Sequence, residues 1–112
     1  MGRDQALTHE PRTCDAALAR AFGFLGKRWN GVIIGTLASG PAGFSELKRA
    51  VAGISDSVLS ERLAELGAAG LVQRSVDEGP PIAVGYRLTP CGQALIPALR
   101  ELTSWAKNNL PA

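Results

Sequence analysis

The sequence predicts a mainly α-helical domain with one small β-hairpin, an α+β fold. Three observations predict it. Apolar residues recur at helical spacing in five stretches between Cys14 and Ala106. Two short runs rich in β-formers flank Asp77-Glu78-Gly79-Pro80-Pro81, a segment of pure turn chemistry. The chain has 112 residues, enough for one domain with a modest core.

Residues 1–13 show neither helical nor alternating patterning, and read as a flexible N-terminal arm with His9 exposed in it. The folded domain then spans residues 14–112. Its first helix begins near Cys14, with Cys14 at or beside the N-cap and Asp15 in the first turn. Leu18, Phe22 and Leu25 form its apolar stripe, and Gly26-Lys27-Arg28 breaks the pattern. The next helix covers Trp29 to Ala38. Trp29, Val32, Ile33, Ile34 and Leu37 cover most of its circumference, which marks it as the central buried helix. Gly40-Pro41 ends it.

Gly43 to Leu71 reads as two helices meeting at a tight turn. Phe44, Leu47 and Val51 lie on one face of the first. Gly53 relaxes the backbone at the turn, and the apolar Ile54 pins that turn to a core. Ser55 is a good N-cap for the second helix, and Asp56 suits the positive end of its dipole. Leu59, Leu63 and Leu66 form the buried stripe. Gly70 sits where a left-handed residue would end the helix and let Leu71 fold back on Leu66. The pair is a helix-turn-helix. Ser57, Ser60, Glu61, Ala64 and Ala68 fall on the opposite, outward face. Small hydroxyls and methyls fit a major groove. Such pairs also occur as inert packing units, so this pattern leaves base contact and plain solvated surface as alternatives.

Leu71–Val76 and Val84–Leu88 are the two strands, and a hairpin placed directly after a helix-turn-helix has the layout of a wing. Thr89 caps the last helix with Pro90 at its first position. Leu95, Leu99, Leu102 and Ala106 form its stripe, widened by Ile96, Ala98 and Trp105. Pro97 should kink this helix or confine its regular part to the residues beyond the proline. So wide a face suits pairing with a second copy, with one more core helix as the alternative.

Composition excludes several classes. The chain is 46% hydrophobic and 20% charged, and has no apolar run able to cross a bilayer and no signal-peptide core, so the default is cytoplasmic. Net charge is only +2, and within Gly43–Arg74 four basic residues meet four acidic ones. Phosphate binding must therefore come from placement rather than from bulk charge. Cys14, Cys91 and His9 have no metal spacing, and no cofactor is implied. No paired carboxylates, phosphate loop or nucleophile with a base suggest an enzyme. A thiol near a helix N-terminus gains thiolate character from the dipole; Arg12 adds to this and Asp15 opposes it. An inert packed cysteine is the alternative. Trp29, Phe22, Phe24, Trp105 and Tyr86 are the side chains available for an effector pocket between helices, core and dimer interface being their other uses.

The whole order of pieces resembles the HxlR-type winged helix-turn-helix transcription regulators, relatives of the MarR group. The likeness runs from Cys14 to Trp105. It rests on the cysteine opening the first helix, Gly26-Lys27-Arg28-Trp29, Gly40-Pro41, Gly43-Phe44-Ser45-Glu46-Leu47, Gly53-Ile54-Ser55, Val58-Leu59-Ser60, Arg62-Leu63-Ala64-Glu65-Leu66, Ala69-Gly70-Leu71-Val72, Pro80-Pro81 and Tyr86-Arg87-Leu88-Thr89 with Gly92. The resemblance implies a dimeric bacterial regulator of double-stranded DNA, a recognition helix beginning at Ser55, and dimerisation through the first and last helices. Ser55, Ser57, Ser60 and Glu61 are then the candidates for the base-reading end. Lys48, Arg49 and Arg62 are the candidates for phosphates, with Arg74, Arg87 and Arg28 as further cations. Leu18, Phe22, Leu25, Leu95, Leu99, Leu102 and Trp105 form the expected homodimer interface. Some members sense oxidants or electrophiles through a cysteine at the place of Cys14, and the resemblance carries that to Cys14 only; Cys91, particular to this chain, is a conceivable disulfide partner across the dimer because it too falls in the first turn of a helix. The chain departs from the pattern at Ser57, Ile82 and Ala83, where basic residues are usual nearby, and at Asp15, where proline is common. Those missing cations keep a second class in view: a winged helix that binds protein rather than DNA.

Overall fold

The computed structural model describes residues 12–112. Five helices and one hairpin follow in order: α1 (Ala16–Leu25), α2 (Asn30–Leu37), α3 (Phe44–Ala50), α4 (Asp56–Ala68), β1 (Val72–Asp77), β2 (Ala83–Leu88) and α5 (Pro90–Asn109). This is the α+β architecture expected from the patterning. Most of the expected arm, with His9, lies outside the described residues.

The core is one cluster. Ile33, Ile34 and Leu37 of α2 meet Leu47, Val51 and Ile54 around the turn, Leu59, Leu63 and Leu66 of α4, Val72 and Leu88 at the base of the hairpin, and Ile96 of α5. The Ile54 side chain pins the turn as its position suggested, while Gly53 beside it adopts a φ of +92°, which L side chains rarely take. Helix α2 is central but not buried all round: Val32 is half exposed, and Trp29 is the N-cap rather than a helical residue.

Helix ends follow local chemistry. The Asp15 carboxylate accepts the Leu18 N–H at 2.9 Å, so Asp15 is the N-cap of α1 and Cys14 is the residue before the cap. This corrects the placement of Asp15, expected in the first turn, while Cys14 stands beside the N-cap, one of its two expected places. A carboxylate is a far better cap acceptor than a thiol. At the end of α4, Gly70 takes φ +82°, Leu71 N–H donates to the Leu66 carbonyl at 3.0 Å and Gly70 N–H to the Gly67 carbonyl at 3.0 Å. That is the paired bonding of a Schellman ending. Thr89 then joins the two helices. Its hydroxyl donates to the Gly70 carbonyl at 2.6 Å and accepts the Gly92 N–H at 3.1 Å.

The strands are antiparallel, with Val72 opposite Leu88 and Asp77 opposite Ala83. Ala42 exchanges two backbone hydrogen bonds with Tyr86, so the segment before α3 lines the other edge of β2. Helix α5 runs unbroken through Pro97, against the expected interruption. Proline leaves the Gln93 carbonyl without its helical donor, and Gln93 is exposed, so water can serve that carbonyl.

Candidate nucleic-acid interface

Helix α4 divides into a committed face and a free one. Leu59, Leu63 and Leu66 are buried, while Ser57, Ser60, Glu61, Ala64 and Ala68 are exposed, as the helical spacing requires. The Ser55 hydroxyl is engaged in capping: it accepts the Val58 N–H at 3.2 Å and lies 3.3 Å from the Ser57 hydroxyl. Lys48 of α3 reaches across the turn to Asp56, 2.6 Å away. A phosphate would have to compete with that carboxylate for Lys48. Arg49 is exposed and in no ion pair among the described residues.

Three of the expected cations, Arg62, Arg87 and Arg28, point elsewhere. Arg62 is only 8% exposed, because position 62 falls on the leucine side of α4. Its Nη2 donates to Glu61 Oε1 at 2.8 Å and its Nη1 lies 2.9 Å from Glu65 Oε2 without hydrogen-bond alignment. It is therefore not among the cations free to face a phosphate. Arg87 is on the hairpin face opposite Leu88 and Tyr86, where it donates to Gln73 at 3.2 Å and borders a hollow with Leu37, Pro41, Pro90 and Gln93. Strand alternation puts it away from α4. Arg28 stacks over the Trp29 ring at 4.4 Å and borders the α1–α2–α5 groove instead. Arg74, by contrast, lies with Tyr86 across a cleft from Ser60, Ala64 and Gly67 of α4. Tyr86 was not singled out from the sequence for this surface; alternation from Leu88 places it there.

The wing tip carries acid, not base. No lysine or arginine lies between Ser75 and Val84, and Asp77 spends one oxygen on the Gly79 N–H at 3.1 Å. Val76, Ile82 and Val84 are exposed.

Behind the free face of α4 lies a polar cluster that sequence reasoning missed. The Glu65 carboxylate receives Lys27 Nζ at 3.0 Å on Oε2 and Asn30 Nδ2 at 3.4 Å on Oε1. The same Asn30 amide donates to the Phe24 carbonyl at 3.0 Å. Asn30 is fully buried, and its Oδ1 has no partner among the described residues. The hydrogen bond from Lys27 holds the Glu65 carboxyl below its ordinary range, against partial desolvation and with help from Asn30 and the Arg62 charge. The one hint in the sequence was an asparagine opening an otherwise apolar helix.

On the opposite side of the molecule, Leu18, Phe22, Val32, Leu102, Trp105 and Leu110 are exposed. Leu25, Leu95 and Leu99 are half buried, the latter two against the core. Phe22, Leu25, Val32, Leu99 and Leu102 border a groove of about 350 Å³ between α1, α2 and α5. The aromatic residues considered for an effector pocket do not gather there. Phe24 and Trp29 pack on the core, Tyr86 faces α4, and only Phe22 borders the groove. Cys14 and Cys91 are both exposed free thiols, Cys91 in the first turn of α5. Among the described residues no three His, Cys, Asp or Glu side chains cluster as a metal site, and no helix is long and apolar enough to cross a membrane.

A model of the HxlR-like helix-turn-helix matches residues 24–112, so Cys14 precedes the matched segment. The HTH-type transcriptional regulator YodB of Bacillus subtilis is 44% identical over 86 residues, 77% of either chain. Its reduced form superposes with a TM-score of 0.78 at 39% identity, over 88% of this chain and 96% of that one. The diamide-treated form gives 0.71 at 38% identity, over 90% and 100%. The redox regulator HypR in its oxidized form gives 0.79 at 28% identity, over 87% and 100%.

Proposed function

This chain belongs to the HxlR-like helix-turn-helix family, which makes it a DNA-binding transcription regulator rather than an enzyme, and on that premise we propose that it acts in the cytoplasm as a homodimer on a pseudo-palindromic operator. One observation carries the reading: α4 commits one face to the core and leaves Ser57, Ser60, Glu61 and Ala64 uncovered at the front of the molecule. Those residues read base edges. Arg49, Lys48 released from Asp56, and Arg74 hold phosphates and set the register. Half-sites then lie about one helical turn, ~34 Å, or a multiple apart.

The exposed apolar side chains of α1 and α5 support the homodimer. Leu18, Phe22, Leu102 and Trp105 are uncovered in the single chain, and an obligate interface covering them would exceed about 2,000 Å² in total. The effector is an oxidant or electrophile acting at Cys14, a reading supported by the exposed thiol at the foot of α1 and by redox relatives such as HypR. Modification there displaces α1 at the dimer interface and changes the distance between the two α4 helices.

The test is a salt titration of binding to random duplex DNA. Phosphate contacts give a steep negative slope of log affinity against log salt. A flat response, or no binding, would leave the chain as a protein-binding winged helix instead.

A further inference from the structure

We propose that Lys27, Asn30, Arg62 and Glu65 are positioning residues that fix the rotation of α4 about its own axis, and so set discrimination between DNA sites rather than grip on DNA. This rests on the reading that α4 meets the major groove.

Leu59, Leu63 and Leu66 hold α4 against the core, and apolar burial has no direction. A small rotation of the helix leaves those side chains covered. The outward residues tolerate it far less. Their tips lie roughly 5–6 Å from the helix axis, where a turn of about 20° sweeps about 2 Å. That is enough to carry a serine hydroxyl out of the range of about 2.5–3.0 Å in which it bonds a base. Ser57 and Ser60 are short and cannot reach after a displaced partner.

The polar cluster supplies the missing direction. Two donors and one further charge from different places meet one carboxylate on α4: Lys27 from the α1–α2 turn donates at 3.0 Å, Asn30 from the first position of α2 donates at 3.4 Å, and the Arg62 guanidinium, one turn back on α4, pairs with it as a charge at 2.9 Å. The Asn30 amide also holds the Phe24 carbonyl in the last turn of α1. The end of α1, the start of α2 and the middle of α4 are thereby tied at a single point. Contacts to an ionised group are short and angle-dependent, as hydrophobic contacts are not.

Stability alone does not explain the choice of residues. Asn30 is fully buried with an unpartnered Oδ1, and Arg62 is nearly buried with one nitrogen poorly aligned. Buried polar groups left short of partners cost free energy that an apolar side chain would not. Fixed geometry is what the polar set adds. Arg62 also holds the Glu61 carboxylate at 2.8 Å, so the cluster extends to the outward face.

The experiment uses the full chain. Wild type selects a duplex from a random pool. Affinities for that duplex and for the unselected pool are then measured across salt concentrations, with thermal midpoints, for wild type, Lys27→Met, Glu65→Gln and Lys27→Arg. Lys27 is half exposed, so Lys27→Met folds. The expected result for Lys27→Met and Glu65→Gln is a selected-to-pool affinity ratio about tenfold lower or more, the loss that a single wrong base pair brings, with pool affinity and salt slope kept. Lys27→Arg restores the ratio. The inference is overturned if the ratio is unchanged, if both affinities fall together, or if Lys27→Met flattens the salt slope, which would make Lys27 a phosphate contact. Should wild type select nothing, the DNA reading falls and this inference with it. Should wild type select a site that the variants read equally well, only the inference falls.

Discussion

Gly92→Ala isolates one backbone crossing on which the domain depends. Gly92 is buried in the first turn of α5, and a Cβ built there would lie 2.3 Å from the Leu71 carbonyl oxygen and 3.1 Å from Leu88 Cδ2. The carbonyl contact is roughly 1 Å short of van der Waals separation. The obstacle is main chain, fixed on one side by the Schellman ending of α4 and on the other by the hydrogen bond from Thr89 N–H to the same Leu71 oxygen at 3.0 Å. Two effects oppose each other. Alanine in place of glycine favours a helix by at most about 1 kcal/mol. Overpacking against fixed atoms costs about 1–3 kcal/mol, and more where backbone must shift. The clash wins, and the net loss is about 1–2 kcal/mol. For a domain of this size that lowers Tm by roughly 4–16 °C. Gly67→Ala supplies the control. Its Cβ would meet only the Val72 oxygen at 3.7 Å, an ordinary contact. That variant should gain about 0.5–1 kcal/mol. Thermal unfolding followed by circular dichroism, at one fixed protein concentration because any self-association makes the midpoint depend on concentration, compares all three. A Gly92→Ala protein as stable as wild type would refute the reasoning, since it would mean that α5 can back away from Leu71 without loss.

Four further outcomes are expected. Leu102→Glu, at a half-exposed position on α5, should keep the fold and give a monomer mass by light scattering where wild type gives a dimer; a dimeric variant would place the interface elsewhere. Ser60→Ala should change preference among DNA sites, whereas Arg49→Ala should weaken binding uniformly and reduce the salt slope by about 1; equal behaviour of the two would dissolve the division between reading and gripping. Because Glu65 titrates below its ordinary range when folded, its stabilising contribution is fully present above the pKa of an unfolded glutamate, about 4.3, and is lost as pH falls through the lower folded value. The stability gap between wild type and Glu65→Gln should therefore close on acidification through that window, and a gap independent of pH in denaturant titrations would contradict the assignment. Mild oxidant, with modification verified by mass, should lower operator affinity in wild type, reversibly with reductant, and not in Cys14→Ser; full affinity in a modified wild type removes Cys14 as a switch.

What could be seen in the sequence was local. The Leu59, Leu63 and Leu66 stripe, Gly70 as the left-handed stop, and Thr89-Pro90 as a helix start each act within one turn of chain, and each stands in the fold as the spacing suggested. Arg62 was misplaced although its spacing held the clue. It lies three residues after Leu59 and four before Leu66, on the buried side, and a charge at such a position is a sign of a partner rather than of solvent. Arg87 erred through alternation, since the neighbour of the core residue Leu88 must face the other way. Cys14 and Asp15 competed for one cap, and the better acceptor took it. The Lys27, Asn30 and Glu65 meeting was beyond any local pattern. Thirty-five residues separate Asn30 from Glu65, and only the packing of α2 against the helix pair brings them together.

The hairpin is anchored at its root alone. Val72 and Leu88 are its buried residues, and everything from Gln73 to Gly85 lies outside the core. Mutations in the projecting part are therefore nearly neutral to folding, whatever they do to a ligand. The tip can drift, lengthen or change sign while selection on the rest of the chain stays constant. The apolar Ile82 and Ala83, where the family resemblance leads one to expect a basic side chain, are the sort of change such a segment tolerates, so target preference can shift at the wing without cost to the fold.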